Sequence, residues 1–416
     1  MTTRRSVLRT LAGIPLAVGA TDTLLASLLA DEPRLKGSMW IYLWDIVDEG
    51  YDTVMARLKE NRLSALSLAT AYHAGKFLAP HNPKRKVVFL EDGTVYFRPD
   101  PKRYKRITPR VNTLVKAGHD LRSVKAHADR AGLETRSWVV CCHNTPLGRA
   151  YPDTVTRTAF GDPLYHNLCP SNEDVRAYLR AMVKDIASHG VTTIELEALQ
   201  FQGYAHGEHH EREGIALGSI PRFLLGLCFC DACRKGAMKA KVDIDAVQRF
   251  TRATLEEYFQ HPEKVEERYP MLLALPADVF EKFLDWRSLV ITTLIEELSA
   301  HADDALLRPI VNFDPEWRMM VGVDVRAIAA ITGGVLMPGY VKDAAALRPV
   351  LARLQGALAE RSITVGMQVG MPDSGGKDEF IDRMNLARER GITSFNFYNY
   401  GFIPLERLEW IKETMS

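Results

Sequence analysis

Residues 172–199 run NEDVRAYLRAMVKDIASHGVTTIELEAL. Val175, Leu179, Met182, Val183 and Ile186 recur at helical spacing, which predicts a helix over Asn172 to His189. Gly190 stops it, and Thr192 to Leu199 then alternates as a strand. The same unit recurs along the chain from Ser38 onward. Strands are expected at Met39 to Ile46, Leu63 to Ala71, Glu134 to Cys141, Thr192 to Leu199, Arg308 to Phe313, Gly334 to Met337, Thr364 to Val369 and Ser394 to Tyr398. The other helices fall at Tyr51 to Glu60, Leu121 to Ala131, Val323 to Ile331, Asp343 to Glu360 and Lys377 to Arg390, with Gly132 and Gly391 as further stops. Alternating strands and helices imply a parallel sheet of the α/β class, and eight such units close into a (β/α)8 barrel over residues 38–416.

The chain has 416 residues, well beyond the roughly 250 of a minimal barrel. Two long insertions hold the excess. One, after strand two, covers about 72–110 and carries Asp92-Gly93 between apolar runs, a β-hairpin signal over Val87 to Phe97. The other, after strand four, covers about 200–306 and is mostly helical, including Val279 to Ala302. Both follow a strand, so both belong to the mouth at the strands' C-terminal ends, where barrel enzymes carry their sites. Lys+Arg 53 against Asp+Glu 52 gives a net charge of +1, which supplies no global field for nucleic acid or an anionic membrane. The expected partner is a small molecule or an oligosaccharide, with no nucleic acid.

Strand four reads Ile194-Glu195-Leu196-Glu197, and alternation places Glu195 and Glu197 on one face. If Leu196 faces the helices, both carboxylates face the barrel interior, where an unpaired charge is costly. Glu195, the deeper, is expected to be held by a structural arginine. Glu197, nearer the mouth, is the leading catalytic residue. Strand five ends in Asn312-Phe313-Asp314-Pro315-Glu316-Trp317, which offers Asp314 as a second acid and Trp317 beside it. Neighbouring strands bring such carboxyls within the roughly 5–9 Å that glycosidase pairs use. Asp before Pro and Glu is equally a helix N-cap. Asp45, at the expected end of strand one, is a third candidate.

Aromatic and amide side chains crowd the expected strand ends: Trp40, Tyr42, Trp44, Tyr72, His73, Trp138, His143, Phe201, Tyr204, Tyr340, Gln368, Asn396, Tyr398 and Asn399. Sugars stack C–H faces on aromatics and bond hydroxyls to amides, so this lining suits a neutral polyol, although half of it would serve as core filling. In Tyr204-Ala205-His206-Gly207-Glu208-His209-His210-Glu211, the histidines 206, 209 and 210 could ligate a divalent metal, or bond substrate while the rest stay solvated. Downstream, Cys228, Cys230 and Cys233, with Cys169 as a fourth partner, suit a structural zinc clip or a disulfide. No phosphate-cradling loop follows strand one and no Gly-x-Ser-x-Gly elbow occurs, which disfavours a nucleotide cofactor or a serine nucleophile.

The barrel rhythm, Leu168-Cys169-Pro170-Ser171-Asn172 leading into Asp174-Val175-Arg176-Ala177-Tyr178-Leu179, the acidic end of strand four and the Cys-x-Cys-x-x-Cys loop together resemble the hypothetical glycosyl hydrolases. These are bacterial TIM-barrel proteins related to the large glycosidase superfamilies. The resemblance implies a carboxylate at the end of strand four, here Glu197, and cleavage of a glycosidic bond with no required cofactor. Strand seven, where related barrels place a second carboxylate, ends here in Gln368, which moves the second acid to Asp314 or Asp45. At the N-terminus, Thr3-Arg4-Arg5-Ser6-Val7-Leu8-Arg9 before mildly apolar stretches up to Ala30 resembles a twin-arginine export signal. It implies a periplasmic or secreted protein with no stable membrane span after processing. The expectation is an exported glycoside hydrolase using paired carboxylates. The alternatives are a metal-dependent sugar isomerase, epimerase or lyase with His206, His209 and Glu197 as ligands, and a non-catalytic sugar-binding barrel.

Overall fold

In the computed structural model, eight strands lie side by side and parallel: β1 (Lys36–Ile41), β2 (Ala65–Tyr72), β3 (Glu134–Val140), β4 (Thr193–Glu197), β5 (Leu306–Pro309), β6 (Gly334–Pro338), β7 (Ser362–Gln368) and β8 (Ser394–Tyr398). Their order is β5-β4-β3-β2-β1-β8-β7-β6. A parallel bridge between Ile310 and Leu336, with Val311 N–H donating to the Leu336 carbonyl at 2.9 Å, brings the two ends together. The result is a nearly closed (β/α)8 barrel of the α/β class. The structure describes residues 35–205, 211–312, 314–358, 362–372 and 374–416. The twin-arginine segment, His206, His209 and His210 therefore lie outside the described residues. From Lys36 to Ser416 the chain forms one compact unit. Among the described residues no helix is long and apolar enough to cross a membrane.

The helices run close to where apolar spacing puts them: Tyr51–Glu60, Leu121–Ala131, Glu173–Ala187, Val325–Thr332, Ala344–Leu358 and Lys377–Glu389. Asn172 starts the third of these, its side-chain oxygen accepting the N–H groups of Asp174 and Val175. In the second insertion, Ala277–Ser299 packs back on Glu173–Ala187, where Arg176 meets Glu297 at 2.7 Å.

Three strand ends differ from expectation. β1 stops at Ile41, and Leu43–Glu49 is a helix. The apolar alternation continues through Trp44, but the Asp45 carboxylate accepts the Tyr42 N–H at 3.1 Å and turns the chain. Asp45 is therefore a helical residue. β4 stops at Glu197 because Ala198 takes a positive φ of 54°. β5 is shorter than expected, so Asp314 lies in the segment after the strand.

The hairpin expected around Asp92-Gly93 is not formed. Val87–Phe89 pairs instead with Lys76–Leu78, and Thr94–Val95 pairs with Ala71 and Tyr72 of β2. The intervening turn is held from outside, Asp92 accepting the Ala74 N–H at 2.9 Å and Asn144 donating to the Gly93 carbonyl at 3.3 Å.

The cap at Asn172 gives a first prediction. Asn172→Ala leaves two helix N–H groups without that acceptor and should cost about 1 kcal/mol of stability, read as a lowered urea midpoint with unchanged slope.

Candidate active site

β4 carries two glutamates whose surroundings differ sharply. Glu195 is 1 % exposed. Its carboxylate accepts Trp40 Nε1–H at 2.8 Å, Ser67 Oγ–H at 2.6 Å and Asn396 Nδ2–H at 2.8 Å. Trp40 and Ser67 are register partners on β1 and β2, and Asn396 reaches across from β8. Burial raises the Glu195 carboxyl above its ordinary value, while the Arg136 guanidinium and these donors pull it back. The expected arginine clamp is thus corrected: the direct partners are neutral, and Arg136 itself donates to Ser38 at 3.1 Å. Sealed and saturated, Glu195 is a core residue and not one placed to meet a substrate.

Glu197, two residues nearer the mouth, keeps part of its surface open. It accepts Trp138 Nε1–H at 2.5 Å. Burial pushes its carboxyl up to about 7, with the Trp138 bond opposing. The walls are aromatic. The Tyr42 ring lies 5.6 Å from Trp138 and 5.2 Å from Tyr72, while Tyr398 lies 5.8 Å from Trp40 and 5.4 Å from Tyr340. Burial, together with the Glu197 charge, raises the phenols of Tyr42, Tyr72 and Tyr340 well above their ordinary range and pushes Tyr398 up to about 12. All four therefore stay protonated near neutral pH. Trp44 stacks on Tyr42 at 4.2 Å, inside the wall.

The expected lining is brought together in part. Gln368, the register partner of Tyr398, is buried at the end of β7, and its Oε1 has no hydrogen-bond partner. Gly366, two residues before it, lies against Trp40, so that face of β7 points into the barrel. His73 stacks on His143 at 4.5 Å and on Tyr72 at 4.5 Å. Tyr204 is partly buried at the start of the second insertion, and Tyr340 is 37 % exposed. Asn399 is buried and caps the turn at Tyr400–Phe402 through the Gly401 N–H at 3.1 Å. The Trp317 side chain lies outside what the structure describes.

The other two acids are placed differently. Asp314 is exposed just past β5, its Oδ1 accepting the Glu316 N–H at 2.9 Å, so it performs the capping that its sequence context suggests. Asp45 is 1 % exposed and faces the Asn399–Gly401 turn; burial pushes it up to about 7 against the Tyr42 N–H bond, with His81, Glu49 and Asp48 as its titratable neighbours. That cluster includes Tyr400 and Arg57, both bonded to Glu49. Asp45 is thus a buried acid in the first turn of the helix after β1, which corrects its expected place at a strand end.

Sequence reasoning missed several contributors. Phe77 and Phe402 meet at 4.7 Å and both pack on Tyr42. His166 lies 5.9 Å from His143. All three come from loops or short strands of the mouth, where no periodicity announces which face points inward.

Beside the mouth, Cys169, Cys228, Cys230 and Cys233 are all buried, with their sulfurs within 4.8 Å of one another. Cys169 lies 3.5, 3.8 and 3.6 Å from Cys233, Cys228 and Cys230. A tetrahedral ion with sulfur bonds of about 2.3 Å needs sulfur–sulfur edges of about 3.8 Å, so the donor set fits zinc. The same spacings are far too long for the roughly 2.05 Å of a disulfide, and all six cysteines of the chain are unpaired.

The sequence matches no family model and no curated protein. Solved structures share the fold. A β-galactosidase from Halorubrum lacusprofundi superposes with a TM-score of 0.56 at 10 % identity, covering 92 % of this chain and 57 % of that one. α-L-Fucosidase isoenzyme 2 from Paenibacillus thiaminolyticus gives 0.53 at 10 % identity, covering 92 % and 49 %. A Rahnella sp. R3 β-galactosidase gives 0.53 at 12 %, covering 93 % and 56 %. The chain thus spans about half the length of these glycosidases, and the likeness is one of fold.

Trp138→Phe removes the donor that opposes the rise of the Glu197 carboxyl. That carboxyl should titrate about one pH unit higher in the variant, measured by carbon NMR on labelled glutamate.

Proposed function

We propose that the protein is a glycoside hydrolase in which Glu197 is the general acid. The observation that carries the reading is one carboxyl, held near neutrality by burial, at the mouth end of a barrel strand inside an aromatic wall. An acid that titrates near the working pH can protonate a leaving glycosidic oxygen and then accept a proton from water. Trp44, Tyr72, Tyr398 and Tyr340 supply faces and hydroxyls for a sugar ring, with His73, His143, Tyr204, Gln368 and Asn399 as polar neighbours. Asp314 is the counterpart we assign as base or nucleophile. It follows β5, the strand next to β4, and it is exposed where Asp45 and Glu195 are sealed. Hydrolysis by this pair needs no cofactor.

The four cysteines would hold a structural zinc that staples the second insertion to the segment after β3, supplying cross-linking and no chemistry to the reaction. Export through the twin-arginine route is part of the proposal and rests on Arg4, Arg5 and the stretch after them.

Glu197→Gln should abolish release of sugar from glycoside substrates. As a general acid Glu197 is protonated below about 7, so wild-type turnover should fall as pH rises through that value. The sign for stability is the same: a raised carboxyl binds its proton more tightly in the folded state, so stability is lost as pH rises towards about 7. Glu197→Gln removes that loss, and its melting temperature at pH 8 should equal or exceed wild type. Retained turnover in this variant would refute the assignment, and full activity in Asp314→Asn would remove Asp314 from it.

Purified protein should carry one zinc per chain by elemental analysis. Its removal by a chelator should lower the melting temperature while wild-type pH dependence persists in the protein that remains folded.

A further inference from the structure

Next to the aromatic wall lies a cleft of about 470 Å³ that the reaction described above leaves unused. Three segments of the mouth form it: Lys76–Leu78 of the first insertion, residues 370–372 after β7, and residues 402–407 after β8. Its surface is rich in carbon. Phe77, Leu78, Met371, Pro372, Phe402 and Pro404 line it, and Leu78 is 67 % exposed, so apolar surface is held open to water. The cleft adjoins the site through shared rings. Phe77 and Phe402 meet at 4.7 Å, and both pack on Tyr42, at 5.4 and 5.7 Å. Tyr42, fully buried, lies 5.6 Å from Trp138, the donor to Glu197, and Phe402 lies 5.7 Å from Tyr398. Two ring-to-ring steps thus separate the cleft from the residue that bonds the candidate acid.

The lining disfavours another sugar ring. Sugar hydroxyls are recognised by amide, hydroxyl or carboxylate side chains, and the nine described residues around the cleft carry none of these. The Gly370 carbonyl already accepts a hydrogen bond from Arg407 Nη1. The wall around Glu197, by contrast, brings the phenols of Tyr72 and Tyr398 and the amide of Gln368. Two charges stand in the cleft, both positive, on Lys76 and Arg407. Among the described residues neither pairs with a carboxylate, whereas Lys84 and Arg85 of the same insertion both meet Asp48. Arg407 is held in place by the Gly370 carbonyl and by the Trp410 ring, 5.4 Å from its guanidinium. A fixed guanidinium and an exposed ammonium among carbon-rich walls suit an anion carried on an apolar body.

We propose that this cleft binds the far end of the substrate's leaving group, an extended aromatic acid of two fused or linked rings with a carboxylate at the end away from the sugar. The inference rests on the glycosidase reading and names its substrate class, an acidic aryl glycoside in place of a plain oligosaccharide. The length follows from the two ring-to-ring steps, because the scissile bond is placed at Glu197 and the cations stand in the cleft with Phe77 and Phe402. Glu197 passes its proton to the phenolic oxygen as the bond from that oxygen to the anomeric carbon breaks. Water supplies the hydroxyl that ends on the carbon, and its second proton passes to the carboxylate acting as base. The products are the free sugar and the hydroxylated aromatic acid.

The binding arm of the test needs no sugar. The full chain is titrated by fluorescence with 8-anilinonaphthalene-1-sulfonate and with N-phenyl-1-naphthylamine, which has the same rings without the sulfonate. Wild type should bind one sulfonate probe per chain about tenfold more tightly than the neutral probe, and the Lys76→Gln, Arg407→Gln double variant should lose that preference. Equal or tighter binding of the neutral probe by wild type overturns the proposal without requiring any variant to fold. Unchanged sulfonate affinity in the double variant overturns it as well. The turnover arm uses 6-carboxy-2-naphthyl and 2-naphthyl glycosides across a panel of sugars. For an accepted sugar, the carboxylated aglycone should have a kcat/KM about tenfold higher, carried by KM, and the double variant should bring the two aglycones within about threefold of each other. Equal kcat/KM for both in wild type overturns the leaving-group assignment. Absence of turnover on every sugar, with the probe binding as described, would refute the glycosidase reading while the preference of the cleft for an aromatic anion stands.

Discussion

The barrel depends on how it buries the carboxyl of Glu195. Three neutral donors, from β1, β2 and β8, converge on that one carboxylate. Each must arrive with the right parity and at the right height. A slip of one residue in any of the three strands would point its donor at the helices and strand the carboxylate in the core. The bonds thus contribute more to register than to net stability, since their formation mainly offsets the desolvation of the acid they serve.

One step up the same strand, the identical side chain meets the opposite arrangement. Glu197 has the single Trp138 donor and a ring of aromatic faces in place of amides and hydroxyls. Saturation below and scarcity above give the two carboxyls different surroundings. The surrounding phenols follow from the same scarcity: burial and the nearby carboxylate keep them protonated, so they remain donors whichever way Glu197 titrates.

This contrast was visible in the sequence only as far as period two could carry it. Alternation in Ile194-Glu195-Leu196-Glu197 put both acids on one face and ranked them by depth. Helix ends were legible because Gly132, Gly190 and Gly391 allow the left-handed turn that stops them. Periodicity fails where a side chain bonds the backbone locally: Trp40, Tyr42 and Trp44 continue an alternation that the Asp45 carboxylate interrupts at Tyr42. It fails again for the mouth, because Phe77 and Phe402 meet Tyr42 through loops whose path is set by contacts far along the chain. The cysteine cluster lay between these extremes, with Cys228, Cys230 and Cys233 close in sequence and Cys169 joined to them only by folding.

The second insertion explains why such a cluster is needed. Its helices leave the barrel after β4 and must return at β5, so the loop entropy of about a hundred residues opposes any fixed arrangement over the mouth. Apolar packing alone sets such helices loosely, since ring-on-ring contacts like Phe229 on Phe283 tolerate sliding. In the proposed zinc complex, four sulfurs converging from Cys169 and the loop restrict that sliding, because a tetrahedral donor set has one geometry. Arg287, on the helix Ala277–Ser299, extends the restriction to the segment after β5 through its bonds to Met319 and Met320. The segments that follow β4 and β5 are thereby tied together by directed bonds, while Glu197 is left among aromatic faces with the single Trp138 donor.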